Sequence, residues 1–432
     1  MRPIGFSDKL FYYTASGQTL TYNMQMRINL AVAPDKDALR KAARQSLAVF
    51  PEFAVRPVIH DGKFFYEEND ADIAIFDDNG AIHSLGSDET NGYLICLICG
   101  SRHVILSFYH GLADFIGNWS FICTLIYHYA RELGLNVAPA EVVRLNADAY
   151  FSLSELERDD PYSKFGDENA VPTWIYKSKG AFRVPEKNFP PEVDRLKNFD
   201  IETRVADMLT VTKKFQTSFT PLLICAAARA LKKIYDTGDL PIVVKMPVNM
   251  RPIFKTATTA NFSDSAILTY DDDFDNLSVA DCCRALKDTL KAQMKSENFA
   301  GTLVKKKRLI LDFEASGKNP AQIRAELAAK PSSRPITFAI TYPGILDLPA
   351  EYQAVVRSFN MEPAVPIEGF FLFVGAYDNN KLLRIRCCQR FDSDKISRAI
   401  ATELDQLGFK TALKDGGIQR GDKVFIDKIK RV

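Results

Sequence analysis

The sequence has little excess charge of either sign and no long hydrophobic run. Its 432 residues include 55 lysines and arginines against 54 aspartates and glutamates, which gives a formal net charge of +1. Proteins that bind nucleic acid or anionic membranes need a surplus of positive charge. No apolar stretch approaches the roughly 18 residues that a membrane span requires, and the first residues lack a signal-peptide pattern. We therefore expect a cytoplasmic protein that binds neither nucleic acid nor membranes.

Several familiar motifs of catalysis and cofactor binding are also missing. There is no Gly-rich phosphate loop, no G-x-G-x-x-G, no G-x-S-x-G and no H-E-x-x-H. With only five histidines, a poly-histidine metal site would need nearly all of them. Cys96 and Cys99 form a C-x-x-C inside an apolar run, but no second pair of ligands stands at a matching spacing. The sequence therefore predicts no metal site, and it predicts that the eight cysteines are buried core residues.

Strand-like and helix-like patterns alternate along the whole chain. Apolar residues alternate in TLTYNMQMRINLAV and LLRIRCC, which predicts strands, whereas their spacing in DALRKAARQSLAVF predicts an amphipathic helix. Further helices are predicted from about Asp114 to Gly134 and from about Val205 to Tyr235. The sequence therefore predicts an α/β or α+β mixture in both halves.

Periodicity is lost between the two halves. The stretches SELERDDPYSKFGDENAVP and RVPEKNFPPEVDRLKNFD are rich in proline and charge, which is typical of linkers and surface excursions. We therefore predict an N-terminal lobe over residues 1–165, a linker over 166–200 and a C-terminal lobe over 201–432.

His110 has the most suggestive setting of the five histidines. It follows the predicted strand VILSFY, in the turn HGLAD, and Asp114 stands at the start of the next helix. A neutral imidazole is a natural general base near pH 7, and Gly111 would let a substrate approach the backbone closely. The spacing also fits a partly buried, hydrogen-bonded histidine followed by a helix-capping aspartate. Both interpretations are open from the spacing alone.

The stretch SFYHGLADFIG resembles the H-H-x-x-x-D-G signature of the chloramphenicol acetyltransferase-like superfamily. This superfamily includes CoA-dependent acyltransferases, alcohol O-acetyltransferases and nonribosomal peptide condensation domains. FSDKLFYYTA resembles the family's opening segment, MPVNMRPIF at 246–254 resembles its P-V-N-L-R strand end, and ITYPGILDLP at 340–349 resembles its S-N-L-G-x-x-x-L-P stretch. The resemblance covers nearly the whole chain, and it is greatest to the alcohol acetyltransferase-like branch.

The resemblance implies two similar lobes, each an α/β (α+β) sandwich, with an active-site tunnel between them. It implies that His110 is the general base, which takes a proton from an alcohol or amine acceptor in a ternary complex with acyl-CoA. Asp114 then matches a structural aspartate that faces away from the reaction, and Arg251 matches the arginine of the other lobe that pairs with it. Losing either member of such a buried pair should impair folding as well as rate.

The resemblance therefore predicts a CoA-dependent O-acyltransferase that moves an acyl group, in the first place acetyl, to a small-molecule alcohol. It implies acyl-CoA as the donor substrate and no metal. We expect a monomer or a homodimer, and the sequence does not choose between them. Two alternatives remain: an amide-forming or carrier-protein-dependent condensation-type enzyme, and a non-catalytic ligand-binding member of the same fold. Tyr109 in place of the signature's first His and Phe115 in place of its Gly motivate the second alternative.

Further residues are predicted to contact substrate. The predicted substrate-binding positions, several of them on plausible tunnel strands, are Gly111, Tyr109, Phe115, Asn249, Ser263, Thr341 and Tyr342. Three of them, Asn249, Ser263 and Thr341, are candidate oxyanion donors, and the sequence does not choose among them. Tyr342 corresponds to the Asn of S-N-L-G. Lys305 and Lys306 could meet the phosphates of CoA, although a basic run is also typical of a solvated helix face.

Overall fold

Two hydrophobic cores, each built on one large β-sheet, organise the chain. The structure, a computed structural model, describes residues 1–13, 19–20, 23–61, 63–177, 180–190, 195–329, 335–344, 348–364, 369–377, 381–419 and 422–432. Within these residues the strands form sheets of seven, five, four and two strands. The predicted mixture of helices and strands in both halves is confirmed.

The seven-stranded sheet is formed by residues from the second half of the chain. In spatial order its strands are Ser263–Tyr270, Ile242–Asn249, Phe338–Thr341, Phe370–Tyr377, Leu382–Gln389, Leu196–Arg204 and Ala412–Gln419. The Phe338–Thr341 strand is parallel to both neighbours, and the other pairs are antiparallel. The Phe219–Ile234 helix packs on this sheet, with Val279–Gln293 and Lys395–Leu407 beside it.

The five-stranded sheet carries most of the first half's core. In spatial order its strands are Val356–Ala364, Asn23–Leu30, His103–Tyr109, Ile95–Cys99 and Ile75–Asp77. Every residue of the Ile95–Cys99 strand is buried, which explains the unbroken apolar run there. Cys96 and Cys99 are three residues apart on this strand and therefore point to opposite faces. All eight cysteines are free and buried, as predicted.

Residues near the carboxyl end return to the first half of the chain. The four-stranded sheet consists of Arg2–Pro3, Lys63–Glu68, Val55–His60 and Lys430–Arg431, and Val424–Phe425 pairs with Thr19–Leu20. Together with the pairing of Val356–Ala364 and Asn23–Leu30, these contacts place two segments of the second half in sheets of the first. The Leu196–Arg204 strand starts inside the predicted linker over 166–200. Residues 178, 179 and 191–194 of this linker lie outside the described residues. The predicted limits of the lobes stay a prediction.

The helices connect and cover these sheets. The α-helices are Phe6–Tyr13, Lys36–Val49, Phe115–Glu132, Asp148–Phe151, Glu155–Asp159, Pro161–Phe165, Val205–Lys214, Phe219–Ile234, Arg251–Phe254, Val279–Gln293, Ser296–Ala315, Pro320–Ala329 and Lys395–Leu407. Short 3-10 turns are Asp88–Thr90, Asp272–Phe274, Ala350–Ala354 and Ile426–Lys428. A search of the described residues finds no helix with the length and apolar character of a membrane span.

The helix predicted over Val205–Tyr235 is wrong in its extent. The structure has two helices there, Val205–Lys214 and Phe219–Ile234. The break coincides with Gln216, whose φ of 49° lies in the left-handed region, which ends a right-handed helix. Pro221 then occupies the first turn of the second helix, where its missing N–H removes no helical hydrogen bond.

Candidate active site

His110 lies at the point where the His103–Tyr109 strand gives way to the Phe115–Glu132 helix. The strand ends in Tyr109, which is fully buried, and residues 110–113 form a turn, named here the His110 turn. The imidazole is half-buried and stacks on Phe11, with ring centroids 4.9 Å apart. Phe11 comes from the Phe6–Tyr13 helix, so a third element fixes the plane of the ring.

The Nδ1 edge of His110 is held by hydrogen-bonding groups, which distinguishes it from Nε2. Nδ1 lies 3.3 Å from the Ala113 carbonyl oxygen and 3.2 Å from Asn261 Nδ2. Asn261 Nδ2 donates to the His110 carbonyl at 2.9 Å, and Ser263 Oγ donates to Asn261 Oδ1 at 3.1 Å, which fixes the amide orientation. A carbonyl oxygen only accepts, so the tautomer that bonds Ala113 carries its proton on Nδ1, and Asn261 Nδ2, which is also a donor, then holds the turn through the His110 carbonyl and not through Nδ1. Nε2 then has a free lone pair.

Burial lowers the pKa of His110 below its usual value because it disfavours the charged imidazolium. Hydrogen bonds to the backbone oxygens of His110 and Ala113 and the negative charge of Asp114 oppose this shift, while Lys245 adds to it. The net direction is downward. The imidazole is therefore mostly neutral at pH 7, the form in which it can accept a proton.

Asp114 faces away from the imidazole and holds two elements together. It is the N-cap of the Phe115–Glu132 helix, where its Oδ1 accepts from the Gly117 backbone N–H at 3.0 Å. Its Oδ2 accepts from Arg251 Nη1 at 2.8 Å and from the Phe262 N–H at 2.9 Å. Both side chains of the Asp114–Arg251 pair are 7% exposed. A carboxylate with three such donors is fully committed to the structure.

Arg251 fastens the loop that follows the Ile242–Asn249 strand. Its Nε donates to the Thr258 carbonyl at 2.5 Å and its Nη2 to the Ala260 carbonyl at 2.7 Å. Its Nη1 also lies 3.2 Å from Asn249 Oδ1. The fixed fork of a guanidinium suits this set of acceptors, which a lysine could not satisfy. The loop thereby presents Asn261 to the His110 turn.

Two glycines make the close approaches around the His110 turn possible. A Cβ atom on Gly117 would lie 2.1 Å from the Thr259 carbonyl oxygen, so the loop touches the helix backbone there. A Cβ on Gly111 would lie 2.3 Å from the Tyr109 ring and 2.7 Å from Asp8 Oδ1. Real Cβ atoms do not approach other atoms this closely, so each position requires glycine.

The structure brings some of the predicted substrate-binding residues together around His110 but not all. Asn249 accepts from Arg251, and it pairs in register with Ser263, which contacts Asn261. Phe115 follows Asp114, and its ring stacks on Trp119 at 6.0 Å.

Thr341 and Tyr342, which were also predicted to bind substrate, lie in the seven-stranded sheet and its core. Thr341 ends the Phe338–Thr341 strand of the seven-stranded sheet. Tyr342 packs edge-on against Phe219 at 5.7 Å, and its hydroxyl lies 3.9 Å from Met208 Sδ. It therefore faces the core under that sheet. Residues 345–347 of the matching stretch lie outside the described residues.

The predicted phosphate-binding lysines lie on the Ser296–Ala315 helix. Lys305 is exposed, whereas Lys306 Nζ forms an ion pair with Asp264 Oδ1 at 3.0 Å and lies over the Tyr162 ring. The ammonium group of Lys306 is therefore paired with Asp264, the residue that follows Ser263. In the part of the chain that the structure describes, no group of three or more His, Cys, Asp or Glu side chains is arranged to hold a metal ion.

Sequence reasoning missed Phe11 and Asn261 as neighbours of His110. Phe11 lies in the FSDKLFYYTA stretch that resembles the family's opening, but nothing in its spacing points to the imidazole. Asn261 lies ten residues beyond Arg251, in a loop without periodicity. Only the folded loop, which Arg251 fastens, brings it to His110.

Comparisons with known proteins bear on the fold. No protein-family profile matches the sequence, and no curated protein matches it. Among solved structures, polyketide synthase associated protein 5 from Mycobacterium tuberculosis is similar with a TM-score of 0.60 at 14% identity, over 93% of this chain and 96% of that one. The TRI101 protein of F. sporotrichioides, complexed with coenzyme A and T-2, has a TM-score of 0.60 at 9% identity, over 96% and 99% of the chains.

Condensation domains are also similar, with slightly lower TM-scores. The first condensation domain of the CDA synthetase has a TM-score of 0.56 at 13% identity, over 94% of both chains. These matches span whole chains, so they compare both lobes at once. The resemblance seen in the sequence motifs is confirmed at the level of the fold: this chain has the two-lobed fold of the condensation domains and of the TRI101 protein.

Proposed function

We propose that this protein is an acyltransferase that moves an acyl group, in the first place acetyl, from acyl-CoA to a small-molecule alcohol. One observation carries the proposal. His110, half-buried and with a lowered pKa, has its Nδ1 bonded to the Ala113 carbonyl and its own carbonyl bonded to Asn261, which leaves Nε2 for an acceptor. The similar fold of a protein complexed with coenzyme A supports the donor. We propose further that it works in the cytoplasm, as a monomer or a homodimer.

The reaction follows from the chemistry of a neutral imidazole. His110 Nε2 removes the proton of the acceptor hydroxyl while the hydroxyl oxygen attacks the thioester carbonyl carbon. The resulting tetrahedral intermediate carries its negative charge on the former carbonyl oxygen. When the carbon–sulfur bond breaks, the leaving thiolate takes the proton from the imidazolium. The products are an ester and free CoA thiol, and His110 is again neutral.

The test is thiol release from acetyl-CoA by the purified protein across a panel of alcohols and amines. We expect acceptor-dependent release that disappears in His110→Ala and persists in the matched control His60→Ala, whose side chain is exposed. The melting temperature of His110→Ala should change little, because the imidazole is only half-buried. Since burial lowers the pKa of His110, kcat/KM should rise with pH and pass its half-maximal value below about pH 6.5. Wild-type turnover by His110→Ala would disprove the role of His110 as the base.

A carrier-bound donor is the second candidate, because condensation domains share this fold. Such a donor presents the same pantetheine thioester without the nucleotide of CoA. The discriminating experiment replaces acetyl-CoA by an acetylated phosphopantetheinyl carrier protein, with the same acceptors. Transfer from the carrier protein without transfer from acetyl-CoA would favour the carrier-dependent candidate. A protein that transfers from neither donor and shows no thermal shift with acetyl-CoA would be a non-catalytic member of the fold.

A further inference from the structure

Asp8 is a buried carboxyl group that the proposed reaction does not use. It lies on the Phe6–Tyr13 helix and is 9% exposed. Its Oδ1 atom has no hydrogen-bond partner among the described residues. Carboxylates are seldom buried without a cation or several donors, because the loss of hydration disfavours the charge. The protonation state of Asp8 therefore matters for whatever packs against it.

The His110 turn is what packs against Asp8. Asp8 Oδ1 would lie 2.7 Å from a Cβ atom on Gly111, the residue that follows His110. Phe11, which stacks on the imidazole, lies three residues further along the same helix and shares its face with Asp8. One face of the Phe6–Tyr13 helix thus supports both the ring of His110 and the backbone of the next residue.

The groups that face Asp8 do not neutralise a negative charge there. Burial raises the pKa of Asp8 to about 8, and the Tyr66 hydroxyl and the Arg2 guanidinium only partly offset this effect. Arg2 already donates to Asp159 at 2.7 Å, so its positive charge is not reserved for Asp8. The other group near Tyr66 is Tyr109, which carries no positive charge.

Other elements packed around the Phe6–Tyr13 helix direct their charges to other side chains of it. Glu314 pairs with Lys9, Lys307 lies over Phe6, and Arg324 lies over Tyr12. The carboxyl group of Asp160, which precedes the Pro161–Phe165 helix, faces the Phe6 backbone N–H. Asp8 is therefore mostly neutral at pH 7.

We propose that Asp8 is a positioning residue that supports the His110 turn as a neutral carboxylic acid, and that its ionisation ends activity on the alkaline side. The proposal rests on the proposed acyl transfer. An ionised Asp8 would leave an unpaired charge packed against Gly111. The structure can relieve that charge only by admitting water, which moves the helix and takes Phe11 away from His110.

The pH profile of turnover tests this role. If only neutral Asp8 supports the turn, the fraction of competent enzyme falls about tenfold between pH 7 and pH 9 for a group that titrates near 8. Asp8→Asn keeps the shape and cannot ionise, so its rate at pH 9 relative to pH 7 should stay near one. The control Asp273→Asn removes an exposed carboxylate, and it should keep the wild-type fall. A wild-type profile that is flat to pH 9, or an unchanged fall in Asp8→Asn, would overturn the proposal.

A second measurement does not depend on turnover. The pKa of Asp8 is higher in the folded protein than the value of about 3.9 in an unfolded chain, so the folded state binds more protons between about pH 4 and pH 8. The stability that this proton contributes is complete below pH 4 and is lost as the pH rises through about 8. Between pH 5 and pH 8, the melting temperature of wild type should therefore fall relative to that of Asp8→Asn. If the melting temperatures of wild type and Asp8→Asn change with pH in parallel, Asp8 is not a neutral acid in the folded protein, whether or not an acceptor is found. If the two curves diverge but no turnover is found, only the proposed acyl transfer is refuted. If Asp8→Asn does not fold, Asp8→Ser takes its place in both measurements.

Discussion

The imidazole of His110 is held in place by residues from three separate segments. Phe11 supports the ring, the Ala113 carbonyl accepts from Nδ1, and Asn261 Nδ2 donates to the His110 carbonyl. Because Ser263 fixes the Asn261 amide, the N–H groups and not the oxygen face His110. Asn261 is therefore a positioning residue, one contact away from the proposed base.

Replacing Asn261 by Leu tests this role, because leucine has a similar volume and no hydrogen-bonding group. The loss of a hydrogen bond worth about 1 to 1.5 kcal/mol should lower kcat roughly tenfold. The KM for acetyl-CoA should change much less, since Asn261 contacts the histidine and not the donor in this arrangement. Steady-state thiol release measures both constants.

Asn198→Leu is the matched control for Asn261→Leu. Asn198 is also buried, but it donates to Gln419 in the seven-stranded sheet, away from His110. This variant should lose stability and keep the kcat of the protein that remains folded. A kcat of Asn261→Leu equal to that of wild type would show that the amide does not position the imidazole.

The residues of the site differ in how far the sequence could predict them. His110, Asp114 and Arg251 lie in short motifs, so the sequence resemblance assigned them roles, and the structure places Arg251 Nη1 2.8 Å from Asp114. Tyr342 was assigned by its place in a motif, yet its side chain packs on Phe219 in the core. Asn261 had no signal, because its position depends on a loop that is folded by contacts distant in sequence.

The Phe115–Glu132 helix is docked against the second lobe's loop at a glycine. The Thr259 carbonyl approaches Gly117 so closely that a Cβ atom there would lie 2.1 Å away. The same loop is tied to the first half of the chain a second time, because Thr259 Oγ1 donates to Glu52 Oε1 at 2.6 Å. Glu52 in turn pairs with Arg144 at 2.7 Å. The loop is therefore attached to the first half of the chain at two places, the helix start and Glu52.

Gly117→Ala should destabilise the protein and lower turnover, because the added methyl group must push the Thr259 backbone away from the helix. A cost of about 1 to 3 kcal/mol is typical of such overpacking. Gly301→Ala provides the control, since Gly301 also lies in a helix and a Cβ there meets nothing closer than 3.8 Å. That variant should gain about 0.5 to 1 kcal/mol from its helix propensity. Urea unfolding gives both values, and equal signs for the two variants would contradict the close contact.

Elements with strong periodicity were predicted well, and the failures have physical causes. The helix from about Asp114 was predicted because a capping residue precedes a long apolar face, and it ends at Glu132, two residues before Gly134. The helix over Val205–Tyr235 was predicted without its break, because a single left-handed residue, Gln216, does not disturb the apolar spacing. Two-residue strands such as Lys430–Arg431 exist only through their pairing with Val55–His60, so no local pattern could show them.

The two cores are connected by chain crossings and by one buried ion pair. The crossings are long-range: Val356–Ala364 pairs with Asn23–Leu30, more than 300 residues earlier in the sequence. Propensity and periodicity are local, so the sequence predicts both strands but not that they meet. The ion pair joins Asp114, at the start of a helix on the first core, to Arg251, beside the seven-stranded sheet. It therefore couples the His110 turn to the second lobe.

A double-mutant cycle on Asp114 and Arg251 measures this coupling in the whole molecule. Asp114→Ala leaves a buried guanidinium without its anion, and Arg251→Ala leaves a buried carboxylate without its cation, so each should cost about 3 to 5 kcal/mol of unfolding free energy. The double variant should cost clearly less than the sum of the two, because neither charge then remains. Glu168→Ala, which breaks the exposed pair with Arg308, should change stability very little. Additive costs in the cycle would mean that the two side chains act separately. If turnover decreases across these variants in the same order as the free energy of unfolding, the pair serves the reaction by holding the His110 turn against the second lobe.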